Sequence, residues 1–433
     1  MARLHLLVRG ANRSGGAEVY SAELAARLAH SGHDVTLVCF SADDLLESVC
    51  SVCRLREPEF HSLPLLWRFG KALEWLAIAR QIAALRLPPP ELILASHELY
   101  ASAYLRRYPG VPMLYIPHSL VAAQEVDGYP WQSRIQRKTV VWLFHHVQRR
   151  ILNRADRTIR FSHFGCQALR QYYGARIRPR FAVWPAPVNL PPAPTHAPPG
   201  PTGPRLLFVG RLVSSKNVSF LLRTLAGLSH PWTLDVIGSG PERQALEAEV
   251  VSRGLASRIA FHGHQTDVGR WYRQADLFVF PSRLESFGLV LIEAMSHGVP
   301  ALCIRRDVQA YHNPFDEIVT DGQDGFLAAD EAAFARILNQ LLTSPTCLPS
   351  VGQNARRTVE QRNSWSEHLR QYESLFGELR RLRPALDRET TCNTGKRVSI
   401  PGVDSDNRTV NSDESLTSWA SGFFSPLPSD REA

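Results

Sequence analysis

The stretch from residue 276 to residue 303 constrains the fold more than any other part of this 433-residue chain. It contains an unbroken apolar run, Leu277–Phe280, which is typical of a strand buried on both faces of a parallel sheet. A helix is predicted to begin near residues 287–288 and to end at Gly298, where glycine tolerates a positive φ. A second strand is predicted at 301–303. This strand, helix and strand indicate a parallel α/β sheet.

Two glutamates lie on either side of the start of this helix. Glu285 precedes it, and Glu293 lies within it, inside the apolar run 289–295. Backbone N–H groups at a helix start carry a partial positive charge, so this arrangement could hold a phosphate with the main chain and sugar hydroxyls with the carboxylates. Alternatively, Glu285 only caps the helix and Glu293 is a solvated surface residue. Against that, a buried carboxylate without partners is costly, and a ligand with hydroxyl groups would supply partners for Glu293.

A proline-rich segment divides the chain into two α/β runs. Residues 185–204 contain too many prolines for a helix or a central strand, so they are predicted to be an interdomain linker. We therefore predict an N-terminal domain over 1–184 and a C-terminal domain over 205–360. A last helix over 361–385 and a disordered or loosely attached tail over 386–433 are predicted to follow.

The N-terminal domain opens with the pattern of a βαβ unit. A strand predicted at 4–8 precedes Gly15 and Gly16, and a helix with Tyr20 and Leu24 on one face follows. The two glycines either form the tight turn that any such unit needs or bring backbone N–H groups close to a phosphate at the helix start.

His118 follows a short strand predicted at 113–116. Parallel α/β sheets bind ligands at the carboxyl ends of their strands, so this side chain is a candidate for contact with a ligand. A purely structural histidine is the alternative interpretation. The last strand of this domain is predicted at 158–162.

Two cations follow the first strand of the C-terminal domain, which is predicted at 206–209. Arg211 and Lys216 lie in the loop after this strand. They are either ordinary surface cations or a pair that neutralises a bound diphosphate. Asn217 comes next, and asparagine tolerates the left-handed conformation better than most residues.

The charge balance of the chain is basic, with a net charge of +8 and a pI near 9.3. Such a balance favours anionic partners, and we expect no nucleic-acid partner because no nucleic-acid-binding motif accompanies the charge. Two helical regions either pack on a core or contact an anionic membrane surface: the Trp- and Leu-rich stretch 62–86 and the basic region 134–160.

The seven scattered cysteines predict free thiols in a reducing cytoplasm.

Three motifs together resemble the family-4 retaining glycosyltransferases, whose group-1 domain belongs to the GT-B fold. These motifs are Glu285 and Glu293 in an E-x7-E spacing, the Gly-Arg-Leu…Lys segment at 210–216, and Gly-Gly-Ala-Glu at 15–18. The resemblance is strongest over 205–327. It implies two Rossmann-like, doubly wound α/β domains that face each other across a cleft. It also implies a C-terminal helix that crosses back to the N-terminal domain.

The resemblance further implies a role for each candidate residue. Glu293 is expected to bind the ribose hydroxyls of the donor, and Glu285 the hydroxyls of its sugar. Arg211 and Lys216 are expected to neutralise the leaving diphosphate, and His118 to lie near the donor sugar. No cofactor is expected, since the nucleotide-diphosphate sugar is the donor substrate. No metal ion is expected either, since the cations and the helix starts would neutralise the diphosphate. The donor-binding backbone is expected at Gly15, Gly16, Ser286, Phe287, Gly288 and Leu289.

The implied function is the transfer of a hexose from a UDP- or GDP-sugar to an acceptor hydroxyl, with retention at the anomeric carbon, in bacterial glycan, lipopolysaccharide or exopolysaccharide biosynthesis. We expect a glycan or lipid-linked acceptor. We also expect a cytoplasmic protein with peripheral contact at the inner face of the plasma membrane. One alternative is a GT-B sugar-nucleotide epimerase, which would share the diphosphate site but is not expected to carry the E-x7-E pattern. Another is a non-catalytic, membrane-associated GT-B module, which would leave the candidate residues without a role.

Overall fold

Two α/β domains and a long C-terminal helix make up the structure. The computed structural model describes residues 1–11, 15–57, 70–118, 134–192, 203–307 and 310–392. Each domain has its own parallel sheet flanked by helices, as the alternation of apolar strands and helices predicts.

The N-terminal domain is built on a seven-stranded parallel sheet. Its elements are β1 (Arg3–Leu7), β2 (Gly10–Ala11), α1 (Gly16–His30), β3 (Asp34–Cys39), β4 (Ser41–Ala42), α2 (Asp44–Glu47), β5 (Ser51–Arg54), α3 (Gly70–Ala84), β6 (Leu92–Ala95), α4 (Glu98–Arg107), β7 (Met113–Tyr115), α5 (Arg134–Arg154), β8 (Arg157–Arg160), α6 (His163–Tyr173) and β9 (Phe181–Val183). The strand order is β5-β3-β1-β6-β7-β8-β9, and β2 pairs with β4 beside the sheet. All four residues of β6 are buried, which explains the continuous apolar run of this strand.

The C-terminal domain is built on a six-stranded parallel sheet with the order β12-β11-β10-β13-β14-β15. Its elements and the final helix are β10 (Arg205–Val209), α7 (Val218–Ala226), β11 (Thr233–Ile237), α8 (Arg243–Ser252), β12 (Ile259–Gly263), α9 (Gly269–Tyr272), β13 (Leu277–Phe280), α10 (Leu289–Ser296), β14 (Ala301–Ile304), α11 (Phe315–Ile318), β15 (Phe326–Ala328), α12 (Glu331–Thr343), α13 (Leu348–Arg362) and α14 (Trp365–Cys392). The four residues of β13 are fully buried, as predicted.

The strand order reverses once in each sheet, and these switch points bring the candidate residues together. In the N-terminal sheet β1 lies between β3 and β6, and in the C-terminal sheet β10 lies between β11 and β13. Loops after neighbouring strands diverge at a switch point and leave a crevice at the carboxyl ends of the strands. The loop after β10 carries Arg211 and Lys216, and the loop after β13 carries Glu285.

The helix α14 crosses back from the C-terminal domain and packs on the N-terminal domain. Trp365, Tyr372 and Phe376 are buried in the core cluster formed by α1 and the first strands of that domain. Further along, Arg380 donates to the carboxylate of Glu91 at 2.6 Å. The crossover implied by the family resemblance is therefore confirmed.

The boundaries of the last helix and of the linker differ from the predicted ones. The helix α14 continues to Cys392, past the predicted end at residue 385, and residues 393–433 of the predicted tail lie outside the described residues. The start of the linker is packed rather than extended in solvent, because Ala186 is buried in the core of the C-terminal domain and its carbonyl accepts a hydrogen bond from Asn363 at 2.6 Å. The rest of the linker, 193–202, is outside the described part of the chain.

The two edge strands of the N-terminal sheet were not predicted. Both β5 and β9 are edge strands whose residues are half-buried or exposed, so they lack a continuous apolar run.

All six cysteines whose side chains are described are free, as predicted. In the described residues, no helix is both long enough and apolar enough to cross a membrane. Of the Trp-rich stretch, residues 62–69 lie outside the described part.

Candidate active site

Lys216 and Glu285 form an ion pair at the carboxyl ends of β10 and β13. The Lys216 ammonium donates to Glu285 Oε1, and only 17% and 12% of the two side chains are exposed. The Ser282 hydroxyl donates to the same oxygen at 3.1 Å. The two loops meet because β10 and β13 are adjacent strands. The sequence assigned Lys216 and Glu285 to different parts of a donor, but their direct contact was not predicted.

The pair keeps binding capacity for a ligand. An ammonium has three N–H donors, and a carboxylate accepts at several positions, so one contact between Lys216 and Glu285 exhausts neither group. A phosphate oxygen can bind the lysine while a hydroxyl binds the glutamate. The contact is therefore compatible with both predicted roles.

A second set of hydrogen bonds holds the turn that carries Lys216. Asn217 adopts the left-handed conformation, with φ 58° and ψ 33°. Its side-chain amide donates to Tyr311 Oη at 3.1 Å and to Glu331 at 3.2 Å, and Arg283 donates to Glu331 at 3.0 Å. Burial alone would raise the pKa of Glu331, but the hydrogen bonds from Arg283, Tyr311 and Asn217 lower it. Sequence reasoning anticipated the conformation of Asn217 and missed its partners, which no motif marks.

The start of α10 has backbone N–H groups that no side chain of the described residues caps. This helix begins at Leu289, slightly later than predicted, because Gly288 has a φ of 92° that is not helical. A Cβ at Gly288 would lie 3.2 Å from the Phe315 ring, so glycine suits this position both in conformation and in space. Ser286 and Phe287 precede the helix, and Glu285 does not cap it.

Glu293 lies one turn into α10 and has a partner from another helix. Its Oε2 accepts a hydrogen bond from Tyr272 Oη at 3.1 Å. Burial raises the pKa of Glu293, and the hydrogen bond from Tyr272 partly offsets that effect. The sequence indicated that this carboxylate needs a partner, but it did not identify Tyr272.

The starts of α1 and α10 face each other across the cleft. A Cβ on Gly16 would lie 2.9 Å from Leu289 Cδ1, so the two domains are in close contact at this point. Like α10, α1 has no side-chain cap from the described residues. Gly15 is different: its φ of −166° is ordinary extended backbone that other residues also adopt. The space at Gly16 thus explains one of the two glycines, while residues 12–14 of the same loop are outside the described part.

His118 follows β7 and packs among aromatic rings. Its imidazole lies 5.6 Å from the Tyr20 ring and 6.1 Å from the Phe161 ring, between centroids. Burial, with a smaller contribution from the charge of Arg160, lowers the pKa of His118 to about 4, so the side chain is neutral at pH 7. Its Nε2 has no hydrogen-bond partner within the described residues.

Arg211 lies two residues after β10 and is exposed. The described residues provide no ion-pair partner for it, so its charge is available to a ligand at the mouth of the cleft.

No group of three or more His, Cys, Asp or Glu side chains in the described ranges could hold a metal ion. The positive charge that the described site offers comes from Lys216, Arg211 and the helix starts.

Two family models match the chain, one on each domain. The model for Glycosyltransferase Family 4 matches residues 14–191, and the model for Glycosyl transferases group 1 matches residues 203–344. The chain belongs to the family-4 glycosyltransferases. One relative is the lipopolysaccharide core biosynthesis mannosyltransferase LpcC of Rhizobium leguminosarum bv. viciae, which is 32% identical over 160 residues. The match covers 35% of this chain and 44% of LpcC, so it spans less than half of that relative.

Solved structures extend the similarity of this family-4 glycosyltransferase over both domains. Sucrose-phosphate synthase from Thermosynechococcus elongatus superposes with a TM-score of 0.70 at 22% identity, covering 88% of this chain and 99% of that one. Anabaena HepE in complex with UDP-glucose superposes with a TM-score of 0.68 at 19% identity, covering 87% and 100%. These similarities confirm the predicted GT-B fold.

Proposed function

We propose that this protein is a retaining glycosyltransferase that moves a hexose from a UDP- or GDP-sugar to an acceptor hydroxyl. The observation that carries the proposal is the Lys216–Glu285 pair beside the uncapped start of α10, at the switch point of the C-terminal sheet. A sugar diphosphate requires a cation and N–H donors for its phosphates and an acceptor for its hydroxyls. The pair and the helix start supply all of these within one crevice.

The main catalytic contribution is electrostatic. Transfer breaks the bond between the anomeric carbon of the sugar and a phosphate oxygen, and negative charge develops on the leaving diphosphate. Lys216, Arg211 and the backbone N–H groups at 287–289 and Gly16 stabilise that charge. Each preorganised group of this kind typically contributes about 2.7–4 kcal/mol, or roughly 10²–10³ in rate. Because these groups supply the positive charge, the proposed mechanism requires no divalent metal.

The two glutamates and His118 orient the donor. Glu285 accepts hydrogen bonds from hydroxyls of the sugar, and Glu293, held by Tyr272, accepts them from the ribose. His118 is neutral and presents a ring nitrogen without a partner in the described residues, so it can form a hydrogen bond with the sugar near the reacting carbon. The oxygen of the acceptor hydroxyl then bonds to the anomeric carbon with retention, as the family resemblance implies, and its proton passes to the departing diphosphate.

The acceptor is proposed to be a glycan or a lipid-linked glycan at the membrane surface. LpcC acts in lipopolysaccharide core biosynthesis, which supports an acceptor of this class. On the N-terminal domain, Trp142 of α5 is 60% exposed and Leu76 of α3 is 45% exposed, and Arg150 lies exposed on the same helix as Trp142. Aromatic and basic side chains of this kind favour peripheral contact with anionic lipid, at about 1 kcal/mol for each basic residue. Binding to vesicles with and without anionic lipid tests this contact.

A donor panel tests the proposed activity. The protein is incubated with UDP- and GDP-hexoses and a mixture of candidate acceptors, and both the released nucleoside diphosphate and the mass of the acceptor are measured. A transferase releases the diphosphate and adds a hexose mass to the acceptor. An epimerase changes the sugar nucleotide without releasing the diphosphate, and a non-catalytic module does neither.

A further inference from the structure

The segment 160–164, at the carboxyl end of β8, contacts the loop of His118. Arg160 Nη1 donates to the carbonyl of Pro117, the residue before His118, at 2.6 Å. Arg160 is buried, and a Cβ on the adjacent Gly165 would lie 2.5 Å from a guanidinium nitrogen, so Gly165 makes room for it. The end of β8 therefore fixes the backbone that leads into His118.

Phe161, the next residue, contacts both domains with one ring. Between centroids, the ring lies 6.1 Å from the His118 imidazole and 5.8 Å from the Phe287 ring of the C-terminal domain. Tyr20 completes this aromatic site, since its ring is 5.0 Å from Phe161 and 5.6 Å from His118. Phe287 belongs to the loop that leads into α10. A single side chain thus connects the histidine of one domain with the proposed diphosphate loop of the other.

A second contact between the domains lies beside the first. The backbone N–H groups of His163 and Phe164, at the start of α6, donate to the Glu317 carboxylate of the C-terminal domain at 2.7 and 2.6 Å. Arg306 pairs with Glu317 at 3.3 Å and lies 5.5 Å over the Phe164 ring. The helix dipole of α6 and the charge of Arg306 both favour the carboxylate of Glu317 at this position. The segment 160–164 is therefore held to the C-terminal domain at two points.

The contact between Phe161 and Phe287 lies at the edge of the C-terminal core, beside a cavity. Both rings line a cavity of about 230 Å³ between the domains, together with Met295, Ile318 and Val359. This open space beside the two rings leaves them room to separate. The contact is one that depends on how closely the domains approach each other.

We propose that Phe161 is a positioning residue that makes the placement of His118 depend on contact between the two domains. This inference rests on the proposed function, which assigns His118 to the reacting centre. When the domains are in contact, Phe287 supports Phe161 against the imidazole; when they separate, that support is lost. Such coupling completes the site only around a bound donor and limits the reaction of the donor with water.

Phe161→Leu tests the proposal, because it removes the ring and keeps an apolar side chain. We expect kcat for sugar transfer to fall by roughly 10- to 100-fold, since a misplacement of about 1 Å can cost roughly 10² in rate. The KM for the donor and the affinity for the nucleoside diphosphate are expected to change by less than about 2-fold, because Phe161 positions His118 and does not itself bind the nucleotide. The ratio of donor hydrolysis to transfer should rise. Phe161→Tyr, which keeps the ring, should restore transfer.

Two further variants make the result specific. Phe181→Leu is the matched control, because Phe181 is equally half-buried but lies in β9, where it packs on Arg170 at 5.1 Å. It should leave kcat and the hydrolysis ratio at wild-type values. Glu317→Ala removes the second contact and should lower kcat and raise the hydrolysis ratio in the same direction as Phe161→Leu.

The outcomes separate this inference from the proposed function. If the wild-type protein transfers sugar and Phe161→Leu does so equally well, the positioning role is wrong and the proposed function stands. A parallel loss of nucleotide affinity in Phe161→Leu, or a similar loss of kcat in Phe181→Leu, would also overturn the positioning role. If the wild-type protein transfers no sugar from any donor, the proposed function itself fails.

Discussion

The two domains hold their candidate site residues in different ways. In the C-terminal domain, Lys216 and Glu285 lie in loops after adjacent strands and are fixed by an ion pair and by hydrogen bonds from nearby side chains. In the N-terminal domain, Gly16 and His118 are placed by packing against distant parts of the chain, such as Leu289 and Phe161. The proposed donor half of the site is thus held by polar contacts within one domain, and the other half is held by apolar packing.

Lys216→Ala should have the largest effect, because it removes a member of the polar contacts that hold the proposed donor half of the site. We expect kcat/KM to fall by roughly 10²–10³, equivalent to about 2.7–4 kcal/mol, because the diphosphate loses a cation and Glu285 loses its partner. Steady-state release of nucleoside diphosphate measures the change. Arg336→Ala, at an exposed position on α12 of the same domain, should leave kcat/KM unchanged. Wild-type turnover in Lys216→Ala would exclude this residue from the mechanism.

Acid should destabilise the N-terminal domain first. Burial lowers the pKa of His5 to about 4 and that of His368, on α14, to about 3. The unfolded chain binds protons at these residues below about pH 6.5 while the folded domain does not, so stability falls as the pH decreases from 6.5 towards 4. By pH 4.5 the loss should reach roughly 2–3 kcal/mol for each histidine.

Domain-resolved hydrogen exchange at pH 7 and pH 4.5 measures this difference. Peptides of the N-terminal domain should lose protection before those of the C-terminal domain, where burial also lowers the pKa of His312. Equal loss in both domains would contradict the expected contrast.

Asn217→Ala should destabilise the C-terminal domain by about 2 kcal/mol. Roughly half of this comes from the left-handed backbone, which alanine adopts poorly, and the rest from the lost hydrogen bonds to Tyr311 and Glu331. Asn217→Gly keeps the backbone conformation accessible and should cost clearly less. Denaturant unfolding measures both variants, and equal destabilisation would show that the backbone conformation does not matter here.

Tyr272→Phe should have the smallest effect. It removes the hydroxyl that donates to Glu293, so the pKa of Glu293 should rise further. We expect nucleotide affinity to fall by about 1 kcal/mol, roughly 5-fold, at pH 7. The loss should grow as the pH decreases, because a protonated carboxyl group accepts ribose hydroxyls less well. Calorimetry between pH 8 and pH 5.5 measures the nucleotide affinity of both proteins. If the affinity is the same in the wild type and in Tyr272→Phe and does not change with pH, Glu293 does not bind the ribose.

Much of the fold was predictable from local patterns. The strand β13 was predicted with the observed bounds, because it is a continuous apolar run between Asp276 and Pro281. The edge strands β5 and β9 were missed because half-exposed residues carry no such pattern. The helix crossover was predicted only through the family resemblance, since nothing in the sequence of α14 specifies which domain it packs on.

The site was predictable in its residues and not in its contacts. The spacing of Glu285 and Glu293 and the cations after β10 indicated one crevice in the C-terminal domain. The pairing of Lys216 with Glu285 could not be predicted, because it depends on which strands are adjacent. Tyr272 and Phe161 were missed for a related reason: each acts through a contact between elements far apart in sequence, and neither belongs to a recognisable motif.

Calorimetric titration of nucleotide sugars tests the central claim most directly. UDP-, GDP- and ADP-hexoses and their nucleoside diphosphates are titrated into the wild-type protein and into Lys216→Ala. We expect at least one donor to bind the wild-type protein and to bind Lys216→Ala much more weakly, with Arg336→Ala as the unchanged control. If no donor binds the wild-type protein, or if the same donor binds Lys216→Ala equally well, the site formed by Lys216 and Glu285 does not hold a sugar diphosphate.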